Sequence, residues 1–388
     1  VLLPLCSGPE SGKRVKPFAT KLLEAILPHL THRHAAVRLG VLRAVGELLL
    51  CGAGQSVETL VGWRLKNNVP VAEFYGKGTP RRNYLADLSR DRSVAVRKQL
   101  AVTVGQWCTR MAPEDLYEQE VRILPYLLSG LFDEDESIAS FALDEMERLG
   151  TLHVQVNEKD YKERMEYSVA HEAASEAAYT IPLPPPFTRR PSLGARGRVR
   201  DHFRAHIYPI MAELAQWTAR ERLQSAQLLL MLLVFVEQHV TEFAHQLLPA
   251  LAKAIEADEP KGLVGDCAAM FAQHAVPASY LPLLHSKTIY DPLNTLSQRT
   301  GYLTLLPHLL RGMRPHALRE AMPVIFSLLE EEQLIESHHT PLRAAVQTRV
   351  EIEEEEDSSE EEGIVVVVSP KKAAARREEI DEFEDEMD

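Results

Sequence analysis

Histidine-rich turns are the first places in this sequence where side chains could do chemistry. His32, Arg33 and His34 follow one another in a polar stretch, and His338 and His339 are adjacent further along the chain. Imidazole nitrogens bind zinc, but a zinc site needs three or four ligands at suitable spacing. The sequence places no further ligands at such a spacing from either group. We therefore interpret both groups as solvated turn residues.

A glycine pair at Gly194 and Gly197 could belong to a phosphate-binding loop. Such a loop follows a strand and, in the P-loop, carries a lysine, and this stretch has neither feature. We predict a flexible hinge there. The sequence also lacks a Gly-x-Ser-x-Gly element, paired carboxylates in a defined pocket and a nucleophilic cysteine with an identifiable partner. It therefore predicts a protein that is not an enzyme and that holds no metal and no cofactor.

The cysteines are isolated and lie in apolar, helix-like contexts. Their spacing matches neither a zinc motif nor a disulfide framework. We predict buried, reduced thiols, which is typical of a cytosolic protein. The four residues are Cys6, Cys51, Cys108 and Cys267.

Charge separates the body of the chain from its end. Residues 351–388 contain 17 acidic and 4 basic side chains, whereas residues 1–350 contain 39 of each sign. A body without excess positive charge does not predict nucleic-acid binding. The longest apolar run, Leu228–Val236, is too short to cross a bilayer, which needs about 20 residues. We therefore predict no nucleic-acid partner and no membrane segment.

The elements that would position any site are helices, and the clearest pair lies between His206 and His239. A first helix at 207–216 carries apolar residues at the i, i+3, i+4 spacing of one helical face. Thr218 and Glu221 then match the capping-box pattern at a helix start. The second helix contains the apolar run Leu228–Val236 and must be buried by neighbours on several sides. One amphipathic helix beside one buried helix is the unit of an α-solenoid.

Three further segments share one layout, in which a helix with proline near its start leads through a polar turn into a second helix. The turns contain aspartates, and a β-branched residue opens each second helix. Gly52 and Gly150 would end their helices in the left-handed conformation. The segments are Ile26–Gly52, Leu85–Met111 with Asp91 and Val96–Arg97, and Ile123–Gly150 with Asp133, Asp135 and Ile138.

The spacing of these features is periodic. Val96 and Ile138 lie 42 residues apart, Pro209 and Pro249 lie 40 apart, and Pro125 lies 84 before Pro209, which is twice 42. HEAT and armadillo repeats have periods of about 40–47 residues. The layout is similar to HEAT: proline bends the first helix, aspartate caps the second, and the Val-Arg pair packs and forms salt bridges between repeats. The sequence predicts an all-α fold, an α-solenoid of HEAT-type helix pairs in two halves with a disordered acidic C-terminal tail.

Composition divides the chain into four parts. Residues 1–150 would form the first half of the HEAT repeats, and residues 151–200 an inserted helix and Pro-rich arm that links the halves. Residues 201–350 would form the second half, and residues 351–388 the acidic tail, whose charge predicts disorder. The chain does not begin with methionine, so we interpret it as part of a longer protein.

Several short motifs could bind a partner or be phosphorylated, and each has a simpler alternative. Pro182–Pro186 could dock in an SH3 or WW groove or serve as a stiff spacer. Ser192 follows Arg189, Arg190 and Pro191, as in substrates of basophilic kinases, although chance explains the match as well. The others lie in the tail: Ser358 and Ser359 precede three glutamates, as in acid-directed kinase sites, and Ile364, Val365, Val366, Val367 and Val368 could add a β-strand to a partner sheet, as SUMO-interacting segments do, or be an apolar patch kept soluble by acidic neighbours.

The stretch from Arg190 to Val236 resembles the HEAT-repeat dynein axonemal assembly factors. The residues that carry the resemblance are Arg190-Pro191, Leu193-Gly194, Trp217, Arg222 and Ser225–Leu229. The resemblance implies a cytoplasmic factor, located near the ciliary base, that preassembles axonemal dynein arms for motile cilia. It implies axonemal dynein intermediate or heavy chains and chaperone machinery as partners.

A helical array offers a long contact surface on the face built by its second helices. Such a scaffold needs no chemistry to hold a client protein. We predict that Arg97, Lys98, Arg220 and Arg222 contact acidic or polar client segments. A karyopherin-like transport receptor, which would bind a GTP-loaded GTPase, and a phosphatase-type scaffold, which would bind a catalytic subunit, are the alternatives; an enzyme would need a ligand-filled polar pocket.

Overall fold

Helices account for the secondary structure in the part of the chain that the computed structural model describes. The described residues are 14–62, 82–159, 161, 180–214, 219–256, 261–288 and 295–330, and they contain no β-strand. They belong to one compact unit, Val1–Glu330, and residues 331–388 lie outside the described part. The all-α prediction is confirmed.

Seven of the described helices precede the proline-rich segment, and seven follow it. The first set is α1 (Ala19–Ile26), α2 (Ala35–Leu48), α3 (Val57–Val61), α4 (Tyr84–Leu88), α5 (Val94–Arg110), α6 (Pro113–Leu128) and α7 (Glu136–Val156). The second set is α8 (Leu193–Leu214), α9 (Ala219–Val236), α10 (Ala244–Glu256), α11 (Lys261–His274), α12 (Pro277–Thr288), α13 (Leu296–Gly312) and α14 (Pro315–Leu329). Short 3₁₀ helices, among them Leu27–Thr31, Ser129–Phe132 and Glu237–Phe243, join several of them.

Helix ends follow from local sequence. Pro113 occupies the first turn of α6, where a missing N–H costs nothing, and Glu114 and Asp115 follow it near the positive end of the helix dipole. Thr295 caps α13 in a capping box with Gln298. The sequence between α5 and α6 therefore ends one helix at Arg110 and begins the next at Pro113.

The helices stack in two rows. The first helices of successive pairs contact one another in the order α6, α8, α10, α12 and α14. The second helices form two stretches, α2–α5–α7 and α9–α11–α13, and between them α7 packs mainly against α8. This ordered stacking of helix pairs is the HEAT-type solenoid that the sequence predicts, and α8 is the helix that joins its two stretches.

Two predictions about proline were wrong. Pro125, Pro209 and Pro249 lie inside α6, α8 and α10, well after the helix starts, because the polar residues before them also form helix. The 84 residues between Pro125 and Pro209 are one step of the stack and not two, since α6 and α8 contact each other directly. The insertion between α7 and α8 supplies the extra length.

The glycines at the proposed helix ends behave differently from each other. Gly52 has a φ of 137° and turns the chain after α2, as predicted. Gly150 lies inside α7, so the prediction that it ends the helix was wrong. A side chain at Gly150 would overlap the backbone of Ala195 on α8. Gly150 is therefore a packing residue that allows α7 and α8 to approach closely.

The apolar run in α9 is buried throughout. Every side chain of Leu228–Val236 is at most 6% exposed. The helical stretch Arg222–Glu256 is long and apolar enough to span a membrane, but 72% of its most apolar window is buried inside the protein. Its neighbours α8 and α11 account for the composition, as expected of a core helix. The start of α9 at Thr218 lies outside the described residues, so the capping box there stays a prediction.

The described part of the proline-rich arm is docked and not free. Thr180 donates its hydroxyl to the carbonyl of Gly312 at 2.9 Å and its N–H to Oε1 of Gln273 at 3.1 Å. Phe187 packs edge-on against Phe235 with ring centroids 5.5 Å apart. Pro182–Pro186 thus lies along the second half of the array. This position fits neither a stiff spacer between the halves nor a free segment that binds an SH3 domain. The proposed boundaries at 150 and 200 fall inside α7 and α8.

Candidate functional site

Buried arginine–aspartate pairs connect the turns of the first three repeats. Arg38 of α2 forms a bidentate pair with Asp91, with Nε–Oδ2 and Nη2–Oδ1 distances of 2.6 and 2.7 Å. Arg97 of α5 binds Asp133 in the same way, at 2.6 and 2.8 Å. Each arginine also donates Nη1 to a backbone carbonyl of its own turn, His32 for Arg38 and Asp91 for Arg97. The arginines and aspartates therefore form a ladder from repeat to repeat.

The ladder explains why these residue types recur at these places. In both pairs the arginine side chain is 15% exposed and the aspartate 7%. The hydrogen bond to the aspartate raises the pKa of Arg38 and of Arg97, which keeps both charged. Ala139 takes the arginine position in the third repeat, and Asp135 caps α7 by accepting from the N–H of Ser137 at 3.0 Å. The ladder ends there, and a different set of ion pairs, formed by α8, connects the two halves.

Arginines along α8 alternate between the two halves. Arg196 and Arg200, four residues apart on one face, bind Glu237, which follows α9, with Nη1–Oε2 and Nη2–Oε2 distances of 2.7 and 2.8 Å. Arg190 completes this group with distances of 2.5 and 2.8 Å to the two carboxylate oxygens of Glu237. We call these four residues the Glu237 cluster. Three arginines on one carboxylate fix α8 to the start of the second half.

The opposite face of α8 binds the first half. Arg198 forms an ion pair with Glu120 of α6 and donates to the carbonyls of Leu149 and Cys108 at 3.3 and 3.2 Å. His202, one turn later, lies 3.5 Å from the same carboxylate. Each face of α8 thus carries two of these side chains at the i, i+4 spacing. Arg196 and Arg200 lie on one face, and Arg198 and His202 lie on the opposite face. We call α8 with these partners the arginine junction.

The electrostatics of the junction follow from burial and charge. Burial alone would raise the pKa of Glu237, but the hydrogen bond from Arg190 and the charges of Arg196 and Arg190 lower it to about 2. Burial also opposes ionisation of Glu120, and the partners His202 and Arg198 lower its pKa. Both carboxylates are therefore charged at neutral pH. Buried ion pairs of this kind hold geometry, because removing one partner leaves an uncompensated charge.

The glycines next to these arginines form a packing contact. Gly194 and Gly197 lie within α8 and are buried, so the flexible-hinge prediction was wrong. A Cβ at Gly194 would overlap the carbonyl of Gly150, and one at Gly197 would overlap the hydroxyl of Tyr161. Small residues let the α7 and α8 backbones approach, which is what places the arginines within reach of their partners.

The predicted contact residues fall into different environments. Arg97 belongs to the ladder, whereas Lys98 beside it is exposed, with Nζ 3.4 Å from Ser137 Oγ. Arg220 and Arg222 lie in the first turn of α9, where Arg222 is half-buried and the side chain of Arg220 lies outside the described residues. Only Lys98 of this set is seen to present its charge to solvent. Binding by these residues stays a prediction.

Ser192 is exposed and precedes the first turn of α8. Its Oγ accepts from the N–H of Ala195 at 3.3 Å, and its own N–H donates to Glu147 at 3.0 Å. Arg190, which the kinase motif requires, is bound to Glu237. The motif therefore lies in a folded segment, and its phosphorylation stays a prediction. The tail residues Ser358 and Ser359 and the string 364–368 lie outside the described residues, as do His338 and His339.

The described cysteines are free thiols: Cys108 and Cys267 are buried, as predicted, whereas Cys51 is only half-buried. Burial raises the pKa of the Cys108 thiol to about 12 and also raises that of Cys267. Within those ranges, no three His, Cys, Asp or Glu side chains lie close enough to hold a metal ion. His34 donates its N–H to Nδ1 of His32 at 3.1 Å and accepts from Arg33 at 3.0 Å, as a turn does.

The arginine junction was the feature that sequence reasoning missed. Arg196, Arg198 and Arg200 occupy every second position, and in a loop this spacing does not predict which partners the side chains contact. Read as helix, the same residues form two faces, and a helical assignment of 193–200 could have found them. That helix was not predicted because its glycines and the nearby prolines are typical of loops.

Comparison with known proteins agrees with this architecture. Residues 182–354 match the family model of the dynein axonemal assembly factor 5 HEAT-repeat domain. Residues 81–164 match the family model described as dynein axonemal assembly factor 5-like, TPR repeats. The second description says TPR where we predict HEAT repeats; both names denote stacked helix pairs. The two models together match more than half of the chain.

Similar proteins include three with the same name. Dynein axonemal assembly factor 5 from Xenopus laevis is 25% identical over 318 residues, 81% of this chain. The proteins of that name from Mus musculus and Homo sapiens are each 26% identical over 83% of it. The chain covers 33% of the length of each relative, so it corresponds to about a third of them. By these matches the chain belongs to the dynein axonemal assembly factor 5 family.

Proposed function

We propose that this chain is a non-enzymatic scaffold that holds axonemal dynein chains during the preassembly of dynein arms for motile cilia. The observation that carries the proposal is that two separate regions, 81–164 and 182–354, match family models of an axonemal dynein assembly factor. The two regions include both sides of the arginine junction, so the resemblance extends over both halves of the array.

The structure supports a scaffold rather than a catalyst. Its charged buried groups, Glu237 and Glu120, are saturated with arginine and histidine partners and hold helices together. In the first half, the second helices α2 and α5 pack side by side and keep exposed residues, which gives a surface for a client. We infer that the partners are axonemal dynein intermediate or heavy chains together with chaperone machinery, and that binding takes place in the cytoplasm, near the ciliary base.

Binding can be tested with purified components. The full chain would be immobilised and incubated with an axonemal dynein intermediate chain and, separately, with a heavy-chain fragment made in a cell extract. An unrelated HEAT-repeat protein is the matched bait. We expect retention of at least one dynein chain on this protein and not on the control. Equal retention on both baits, or none on either, would contradict the proposal.

The location can be tested by imaging the tagged full-length protein in differentiating ciliated cells. We expect signal in the cytoplasm, enriched toward the base of the cilia. Signal confined to the axoneme would argue for a resident structural protein and against preassembly.

A further inference from the structure

Basic side chains are concentrated on one exposed surface of the first two repeats. Arg33 and Arg92 lie in the turns before α2 and α5, and both are exposed. Arg43 of α2 and Lys98 of α5 are exposed on the helices themselves. We call these four residues the basic surface. It lies beside the ladder but does not include the ladder arginines.

The ladder brings these residues together. The guanidinium of Arg38 donates to the carbonyl of Arg33 at 3.1 Å while it binds Asp91, the residue before Arg92. Nε of Arg43 donates to Oε1 of Gln99, the residue after Lys98, at 2.8 Å. The two turns and the two helices are therefore neighbours, and the four charges lie on adjoining repeats.

Little negative charge offsets the basic surface. The only acidic residue of α2 is Glu47, and α5 has none; Glu47 lies 3.9 Å from Arg110, at the far end of α5. Asp91 is occupied by Arg38. Acidic residues reappear in the third repeat, where Glu134 and Asp135 precede α7 and Glu136 begins it. Lys98 lies next to this group, since its charge interacts with Asp135 and its Nζ lies 3.4 Å from Ser137 Oγ. The exposed residues of α2, α5 and the turns before them thus carry more positive than negative charge, although the body as a whole is balanced.

The shape of the surface suits an extended segment. Small residues separate the charges, and a side chain added at Gly40 would meet no atom within 4 Å. Val37 and Val94 are 37% and 41% exposed near the basic turns. A segment lying across α2 and α5 could therefore approach the helix backbones, pair its carboxylates with the four cations and place apolar side chains on the valines.

We propose that the basic surface, Arg33, Arg43, Arg92 and Lys98, binds an acidic peptide segment of a protein partner. Nucleic acid fits less well, because single strands are held by several phosphate contacts and by stacking on aromatic side chains, and α2 has no aromatic residue and the Trp107 of α5 is fully buried. The inference specifies where the scaffold under Proposed function would hold a client and so rests on that function.

Fluorescence anisotropy of a labelled oligoglutamate peptide titrated with the full chain tests the proposal. We expect saturable binding that weakens as salt is raised, since exposed charges are screened. The double variants R43E/K98E and R33E/R92E should each weaken binding about tenfold, as reversal of two exposed contacts allows. The matched control is K253E/R319E, which makes the same charge change at exposed positions of α10 and α14 and should bind like the wild type.

Each contrary outcome is distinct. No binding by the wild type, or equal loss in the control, overturns the surface. Tighter binding of a single-stranded RNA with the same dependence on the variants would replace the acidic peptide with nucleic acid. If R43E/K98E loses the peptide but keeps its dynein chain, the surface is not the client contact and the proposed function stands. Unchanged thermal unfolding of each variant shows that the fold is intact.

Discussion

Glu237 is the residue on which the joining of the two halves most depends. It is 4% exposed, binds three arginines and has a φ of 52°, in the left-handed region that non-glycine residues rarely adopt. Such a conformation costs of order 1–3 kcal/mol and persists only where surrounding contacts hold it. Arg190 and the α8 residues Arg196 and Arg200 supply those contacts.

We predict that E237Q destabilises the protein by about 3–5 kcal/mol, because it leaves three buried guanidinium groups without their counter-charge. The matched control is E242Q, which makes the same change at an exposed position of the same 3₁₀ segment and should stay within about 0.5 kcal/mol of the wild type. Urea unfolding followed by circular dichroism measures both. Equal stability of the two variants would show that the cluster contributes nothing.

The same pair of proteins should differ with pH. The pKa of Glu237 falls from 4.5 to about 2 on folding, so its ionised form stabilises the native state above pH 4.5. That contribution is lost as the pH falls from about 4.5 toward 2, when the folded carboxylate also takes up a proton. The stability gap between wild type and E237Q should therefore narrow over this range. A gap that is constant with pH would contradict the assignment.

At the scale of elements, the α7–α8 contact depends on the absence of side chains. We predict that G150A destabilises the protein by about 1–3 kcal/mol, because the new methyl group overlaps the Ala195 backbone. G40A is the control: it lies in the helix α2 with open space around it and should stabilise by about 0.5–1 kcal/mol. Thermal unfolding measures the change in stability of each variant. A change of the same sign for G150A and G40A would contradict the packing account.

The ladder joins successive repeats and should matter more than surface pairs. R97A should cost about 2–3 kcal/mol, because the buried carboxylate of Asp133 then loses its counter-charge and keeps only the hydrogen bond from the N–H of Asp135. R82A removes the pair with Asp87, whose side chains are 56% and 50% exposed, and should cost less than about 0.5 kcal/mol. Chemical unfolding of the two variants makes the comparison. If R82A proved as costly as R97A, burial would not be what makes the ladder strong.

The repeat could be predicted from sequence because its signals are local and recur. The Val-Arg pair and a fully apolar helix predicted salt bridges between repeats and helix pairs, and Arg38, Arg97 and Leu228–Val236 confirm them. The prediction that the turn aspartate caps the second helix was wrong for Asp91, which pairs with Arg38 while Ser93 occupies the N-cap of α5. The predictions for Gly150 and Gly194 were wrong, because a glycine in sequence indicates a helix end or a hinge. In the structure both glycines allow the backbones of α7 and α8 to pack closely. That partner helix is not visible from either segment alone.

The arginine junction shows a second limit of sequence reasoning. Arg198 and Glu120 are far apart in the chain, and their pairing depends on how α6, α7 and α8 stack. Sequence patterns give the face of a helix but not its neighbour. For the same reason Arg97, an exposed contact residue by prediction, lies inside the ladder, while Lys98 beside it is free to face solvent.

At the scale of the whole molecule, the stability of the array depends on buried second helices such as α9. We predict that L229E unfolds the second half, because Leu229 is fully buried in α9 and an unpaired carboxylate there is strongly unfavourable. L223E changes the same residue type on the same helix at a position that is 39% exposed and should keep the fold. Limited proteolysis and circular dichroism separate the outcomes; a folded L229E would contradict the buried-helix account.

A scaffold function places the whole molecule, and not one pocket, in contact with clients. The buried ion pairs set the relation of the halves, and exposed residues on helices such as α2 and α5 would carry the contacts. Partner identity is therefore the property that separates a dynein assembly factor from a transport receptor or a phosphatase scaffold.

Affinity purification from differentiating ciliated cells, with mass spectrometry of the bound proteins, tests the central claim most directly. The baits are the wild type and the control variant L223E, which keeps the fold, with L229E to identify proteins that bind any unfolded chain. We predict that the first two recover axonemal dynein intermediate or heavy chains with chaperones and that L229E recovers chaperones alone. Recovery of a GTP-loaded GTPase or a phosphatase catalytic subunit in place of dynein chains would contradict the account.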